Sequence, residues 1–128
     1  MRAALLWALS GAWAAGIFAV SHLENLPEAP GEIPHLDKLA HAGVYAVLAA
    51  LVSCALSASG AARRRALVLG AVAAAAYGAT DEFHQVFVPG REASLFDWAA
   101  DACGAGLFAA WWALMSRRFP GRTRRPAP

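Results

Sequence analysis

ALVLGAVAAAAYGA runs from Ala66 to Ala79, and TDEFHQVFVPGR follows it from Thr80 to Arg91. The first half has the composition of a helix inside a membrane. The second half brings two acids, a histidine, a glutamine, a Pro-Gly turn and an arginine without a break. Ala66 to Thr80 alone is too short to span, since a crossing takes about 20 residues. The helix must therefore continue to about Gln85. Its polar residues then lie at the outer edge of the hydrocarbon rather than in a loop, and only Val86 onward makes the turn.

The rest of the chain fits a membrane protein. It has 128 residues, room for one domain, with 59% hydrophobic and only 16% charged residues. A soluble domain of this size could not hide so much apolar surface. The net charge of +2 conceals an asymmetry. Arginines cluster at Arg63–Arg65 and again at Arg117, Arg118, Arg122, Arg124 and Arg125, while the acids lie elsewhere. Beside apolar runs, such clusters mark the flanks of membrane helices rather than a nucleic-acid site. Cys54 and Cys103 sit inside apolar segments and read as small packing residues, not as a disulfide framework.

Four apolar stretches are visible: Ala3 to Val20, roughly His41 to Gly60, Ala66 to about Gln85, and roughly Phe96 to Met115. The first also has the basic start and small residues of a secretory signal. Its apolar run is long for one, and no clear A-x-A site ends it. The expected fold class is all-α: a polytopic membrane protein, a compact bundle of four transmembrane helices. With four spans, Arg2, Arg63–Arg65 and the C-terminal arginines fall on one side, which should be the cytoplasm. Both termini are then cytoplasmic, and Ser21–Ala40 and Val86–Leu95 face outward. Residues 1–116 form the membrane domain, and residues 117–128 a basic tail, expected to be disordered near anionic headgroups. Small residues recur at four-residue spacing in Gly70, Ala74 and Gly78, in Ala100 and Gly104, and in Ala102 and Gly106. Such rows let helices approach closely in lipid, although the chain is alanine-rich throughout.

Counting outward from the arginine ends brings polar residues of three helices to one level. Ionisable groups there cost several kcal/mol unless paired or facing a wet cavity. Their spacing makes stripes. Asp37, His41 and Tyr45 share one helix face, Asp81 and Gln85 are four apart, Glu82 and Gln85 three apart, and Asp97 and Asp101 four apart. Ser94 followed by Asp97 also reads as a helix N-cap with an acid at its third position. Asp101 lies one turn too deep for that role.

The set holds both signs of charge. Lys38 and Arg91 suit a phosphate, which arginine can grip bidentately. Lys38 could equally snorkel beside Asp37, and Arg91 could anchor a turn to headgroups. His41 has the intrinsic pKa for proton transfer near neutrality, and Glu82 and Asp97 are further acid or base candidates with Gln85 beside them. His41 and Glu82 also have structural readings, as a hydrogen-bonded bundle histidine and a paired carboxylate. Tyr45 and His84 are candidate substrate contacts, with His22 a weaker one, and Asp37 and Asp81 are orienting or structural groups. Asp97 and Asp101, with Glu82 or Asp81, could hold a divalent cation such as magnesium or manganese, since oxygen ligands suit these ions. The tryptophans read as membrane-contact residues. No Walker loop, G-x-G-x-x-G or G-x-S-x-G occurs, which disfavours nucleotide and serine-hydrolase chemistry. No matching polar track reaches the cytoplasmic half, which disfavours an ion pathway.

Taken in order, these residues resemble the VanZ-like membrane proteins, named for a member associated with teicoplanin resistance. The matching pieces are D-K-x-x-H-x-x-x-Y at Asp37, Lys38, His41 and Tyr45, then G-x-x-D-E-x-x-Q at Gly78, Asp81, Glu82 and Gln85. P-G-R at Pro89, Gly90 and Arg91 and D-x-x-x-D-x-x-G at Asp97, Asp101 and Gly104 complete them. Many relatives carry Asn where this chain has Asp101. The resemblance implies four membrane helices. It also implies a link, by fold and polar pattern, to enzymes acting on phosphate-containing lipid headgroups, such as phosphatidylserine synthases. The expected partners are membrane lipids, a lipid-linked cell-wall precursor or a glycopeptide, and no nucleic acid. The expected location is the bacterial cytoplasmic membrane, with the polar site at its extracytoplasmic face. A non-catalytic role in binding lipid or glycopeptide is the alternative to an enzyme.

Overall fold

The apolar runs become helices at the places hydropathy marks. A computed structural model describes residues 1–23 and 36–118. Within them lie α1 (Arg2–Ser21), α2 (Leu36–Ala58), α3 (Arg63–Gln85) and α4 (Leu95–Arg118), and no strand. Residues 24–35, most of the expected outer connection between the first two spans, and 119–128, most of the basic tail, lie outside the described residues.

α1, α2 and α3 are each long and apolar enough to cross a membrane. α4 has the length, at 24 residues, but Asp97, Asp101 and its terminal arginines make it less apolar. It is held in place by packing against both α2 and α3. Two ends differ from the expected bounds. α2 begins at Leu36, so Asp37 and Lys38 are helical. α4 runs on through Arg117 and Arg118, two residues beyond the expected start of the tail. α3 ends at Gln85, and Val86 is its C-cap, so the polar half of the opening stretch is helix as far as Gln85.

Cross-helix hydrogen bonds fix the directions. Trp7 near the start of α1 donates to Ser59 just past the end of α2, so these helices are antiparallel. Ser21 at the end of α1 meets Asp81 near the end of α3. The starts of α2 and α4 meet through Lys38 and Asp97. The topology is therefore up-down-up-down. α2, α3 and α4 pack on one another, and α1 lies along α2 with a minor contact to α3.

The connections have their own chemistry. α2 ends in a Schellman turn: Gly60 adopts φ +96°, its N–H reaches Ser57, and Ala61 N–H reaches Leu56. Between α3 and α4, Val88-Pro89-Gly90-Arg91 makes a β-turn closed by Arg91 N–H on the Val88 carbonyl. Gly90 supplies the positive φ, +78°, that the third turn position requires, and proline presets the second. Val88 is buried and ties this turn to the bundle.

The radial pattern is inverted relative to a soluble bundle. Leu5, Phe18, Val72, Leu107 and Trp111 face outward. The interior is built from Ala49, Ala74, Ala105, Tyr45 and Leu48, joined by buried Ser10, Ser53, Asp81, Glu82, Gln85 and Asp101. Lipid as solvent makes this arrangement stable, because association then rests on close packing and polar contacts. Gly70, Ala74 and Gly78 are all buried. Gly70 faces Ser53 and Ala49, Gly78 faces Asp101, and Gly104 lies against the backbone of Ala42. Gly106 has open space beside it, so the Ala102–Gly106 row is not a packing row within the chain.

Most of the tryptophans do more than face lipid. Trp13 and Trp98 donate their indole N–H groups to the carbonyls of Val44 and Ala75, both at 3.0 Å. With Trp7 they staple neighbouring helices from the outside while keeping the ring body exposed.

Candidate functional site

The polar end of the bundle is assembled around the start of α4. Ser94 caps it as expected, its Oγ accepting Asp97 N–H at 3.2 Å. In a capping box the acid at the third position would reach back to the cap's own N–H. Here that N–H goes instead to Glu82 Oε2 on α3, at 2.6 Å. The Asp97 side chain is thereby released and pairs with Lys38 of α2, which also holds Asp37 at 2.7 Å.

One turn deeper, His41 Nδ1 bonds Asp101 Oδ1 at 2.9 Å. Asp101 is fully buried, and His41 keeps about a quarter of its side chain exposed. The carboxylate of Asp101 fits because Gly78 has no side chain: a Cβ there would lie 2.7 Å from Oδ2. Three ligand-capable atoms, one each from His41, Glu82 and Asp97, all lie within 4.8 Å of one another. Asp101 is outside that set; its carboxylate is engaged behind His41.

Asp81 and Glu82 are adjacent in sequence and so point about 100° apart around the helix. Asp81 faces α1, where its Oδ2 accepts from Ser21 at 2.6 Å and from Gln85 at 3.4 Å. Tyr45, 1% exposed, places its hydroxyl beside the Asp81 carboxylate. Tyr45 Oη and Asp81 Oδ1 are both buried without a hydrogen-bond partner among the described residues. His84 points elsewhere. It lies 3.2 Å from His22 Nδ1, and Phe18 stacks near it. Arg91 is half-buried and forms no ion pair among the described residues; its Nε has no partner.

The structure thus separates the sequence candidates into two groups. Lys38, His41, Glu82, Asp97 and Asp101 converge where α2, α3 and α4 meet. Asp81 and His84 join α3 to the end of α1, Gln85 bonds Asp81 from the same helix, and Tyr45 lies between the groups. Ser21 belongs to the second group and was not foreseen from the sequence; a serine at the end of an apolar run carries no spacing signal of its own. Two surface grooves lie at the other end of the bundle, among Arg63, Arg64, Arg65 and Arg117. Neither touches His41, Glu82 or Asp97.

An inside-out helical bundle with buried acids and a histidine at one end defines a polytopic membrane protein with a polar centre. The chain matches the VanZ/LLP1 family profile over residues 5–116, most of its length, and belongs to that family. Neither the curated proteins nor the solved structures yielded a match.

Proposed function

We propose that this VanZ-family protein acts on phosphate-containing lipid headgroups or lipid-linked cell-envelope precursors at the outer face of the bacterial cytoplasmic membrane. The observation that carries this reading is the convergence of His41, Glu82 and Asp97 within 4.8 Å, at the bundle end opposite Arg63–Arg65 and Arg117. Asp101 fixes the ring of His41 through Nδ1 and leaves Nε2 to exchange a proton. Glu82, anchored by Ser94, is a second acid or base within reach. Lys38 supplies a cation that can move from Asp97 to a headgroup phosphate, and Arg91 a second one from the adjoining turn. The partly exposed edge at Lys38 and His41 suits an amphiphile whose tail stays in lipid.

A non-catalytic binding role is the second reading. It is favoured by the saturation of Lys38, which Asp37 and Asp97 already hold. Lipidomics separates the two. A deletion strain complemented with wild type, His41→Ala or Glu82→Gln is compared for lipids and cell-wall precursors. The catalytic reading expects both variants to resemble the deletion strain. Identical profiles for deletion, wild type and variants would sink it.

A further inference from the structure

Glu82 is 93% buried by its 7% exposure. Its Oε2 is taken by Ser94, and its Oε1 is buried with no hydrogen-bond partner among the described residues. A buried carboxylate oxygen without a donor is costly, and in a native site it points to something that fills the gap. No ammonium or guanidinium pairs with Glu82 among the described residues. The charge balance agrees. Asp37, Asp81, Glu82, Glu92, Asp97 and Asp101 stand at this end against Lys38 and Arg91, and among the described residues only Lys38 of these two cations is ion-paired.

The donors around that gap are of definite kinds. Asp101 Oδ1 engages His41 Nδ1, which leaves Nε2 as the ring nitrogen open to a ligand. A carboxylate behind a histidine is the usual support of a metal-ligating ring. Asp97 uses one oxygen for Lys38 and has the other to offer. An ion held at about 2.0–2.2 Å from each ligand needs donors no more than about 4.4 Å apart. The set lies within 4.8 Å, so a closure of a few tenths of an ångström completes it.

We propose that His41, Glu82 and Asp97 bind one divalent metal ion, with Asp101 as the positioning residue for His41. One imidazole nitrogen suits a transition ion such as zinc, and two carboxylate oxygens also admit manganese, which serves as a paramagnetic stand-in. Lys38 then shifts toward Asp37, its other partner. The proposal deepens the headgroup reading of this same site by naming a cofactor class, and it stands or falls on a separate measurement.

Manganese is the probe. The full-length protein in nanodiscs, stripped with chelator, is titrated with Mn2+ while the signal of free ion is followed by electron paramagnetic resonance. The expected result is saturable binding of one ion per chain at micromolar metal. Glu82→Gln and His41→Ala should each weaken it at least tenfold. Asp101→Asn should weaken it by roughly tenfold, as loss of an orienting partner does. Cys103→Ala, on the exposed face of α4 and outside the set, should leave it unchanged. Electron spin echo on the wild-type protein should show nitrogen coupling from His41, a readout that does not depend on any variant folding. Absence of saturable binding up to millimolar metal overturns the proposal. So does binding without nitrogen coupling, or binding that Glu82→Gln and His41→Ala leave intact. Lipid profiles altered in the complementation strains without metal binding would overturn this proposal alone. Metal binding with unchanged profiles would overturn the headgroup reading alone.

Discussion

Gly104→Ala tests the geometry on which the site depends. A Cβ at Gly104 would fall on the Ala42 carbonyl oxygen, 2.6 Å from its carbon and 2.7 Å from the Ala42 Cα. Non-bonded carbons sit well at about 3.5–4.0 Å, so α2 and α4 must part by about 1 Å. The obstacle is backbone, so no side-chain rotation relieves it. Overpacking of this kind costs about 1–3 kcal/mol. Alanine regains up to about 1 kcal/mol of helix propensity. Gly106 on the same helix has open space beside it, and Gly106→Ala collects the propensity gain without the clash. The two variants should therefore differ by about 1–3 kcal/mol, with Gly104→Ala the less stable. Thermal unfolding in one detergent, followed by tryptophan fluorescence, measures the difference. The same separation should weaken Lys38–Asp97 and His41–Asp101, since both pairs bridge α2 and α4. Equal stability of the two variants would refute the close approach and, with it, the placement of the site.

Further tests address other parts of the bundle. Ser21→Ala removes the short hydrogen bond to buried Asp81 and leaves it the long Gln85 contact, and should lower stability by about 1–3 kcal/mol in the same melt. Cys54 and Cys103 are unpaired and face outward from apolar helices. In intact membranes they should resist a membrane-impermeant maleimide and react only after denaturation; rapid labelling would place them in water. A reporter inserted at residue 62 should be cytoplasmic. Replacing Arg63–Arg65 with neutral residues should yield a mixed orientation, because the charge bias that sets it is reduced.

The spans were legible because hydropathy integrates over a whole helix, and the end of α3 at Gln85 followed from length alone. The start of α2 was legible from the polar stripe and not from hydropathy: Asp37 and Lys38 contribute nothing to an apolar run, yet they belong to the helix, and Lys38 finds Asp97 on α4. The stripe Asp37, His41, Tyr45 was correctly placed on one face, and its members become more buried with depth. Spacing within one helix could not show the pairs between helices. It put Asp97 at a cap and Asp101 beside it as a fellow ligand, whereas the structure turns one to Lys38 and the other to His41. The switch depends on Glu82 taking the cap's N–H, a contact between residues twelve apart across a turn. The His22–His84 pair was equally hidden, since α1 and α3 meet only through the packing of the bundle.

α3 begins with Arg63, Arg64 and Arg65, with no acid in its first turn and no side-chain cap. Positive charge at a helix N-terminus opposes the macrodipole, at about 0.3–1 kcal/mol per exposed residue. A stability engineer would place Asp or Ser there. Under the orientation proposed above, that improvement would remove the residues that hold this end in the cytoplasm. The first turn of α3 is therefore a place where the better helix makes the worse membrane protein. Screens that rank variants by melting temperature alone would select chains that insert in mixed orientation.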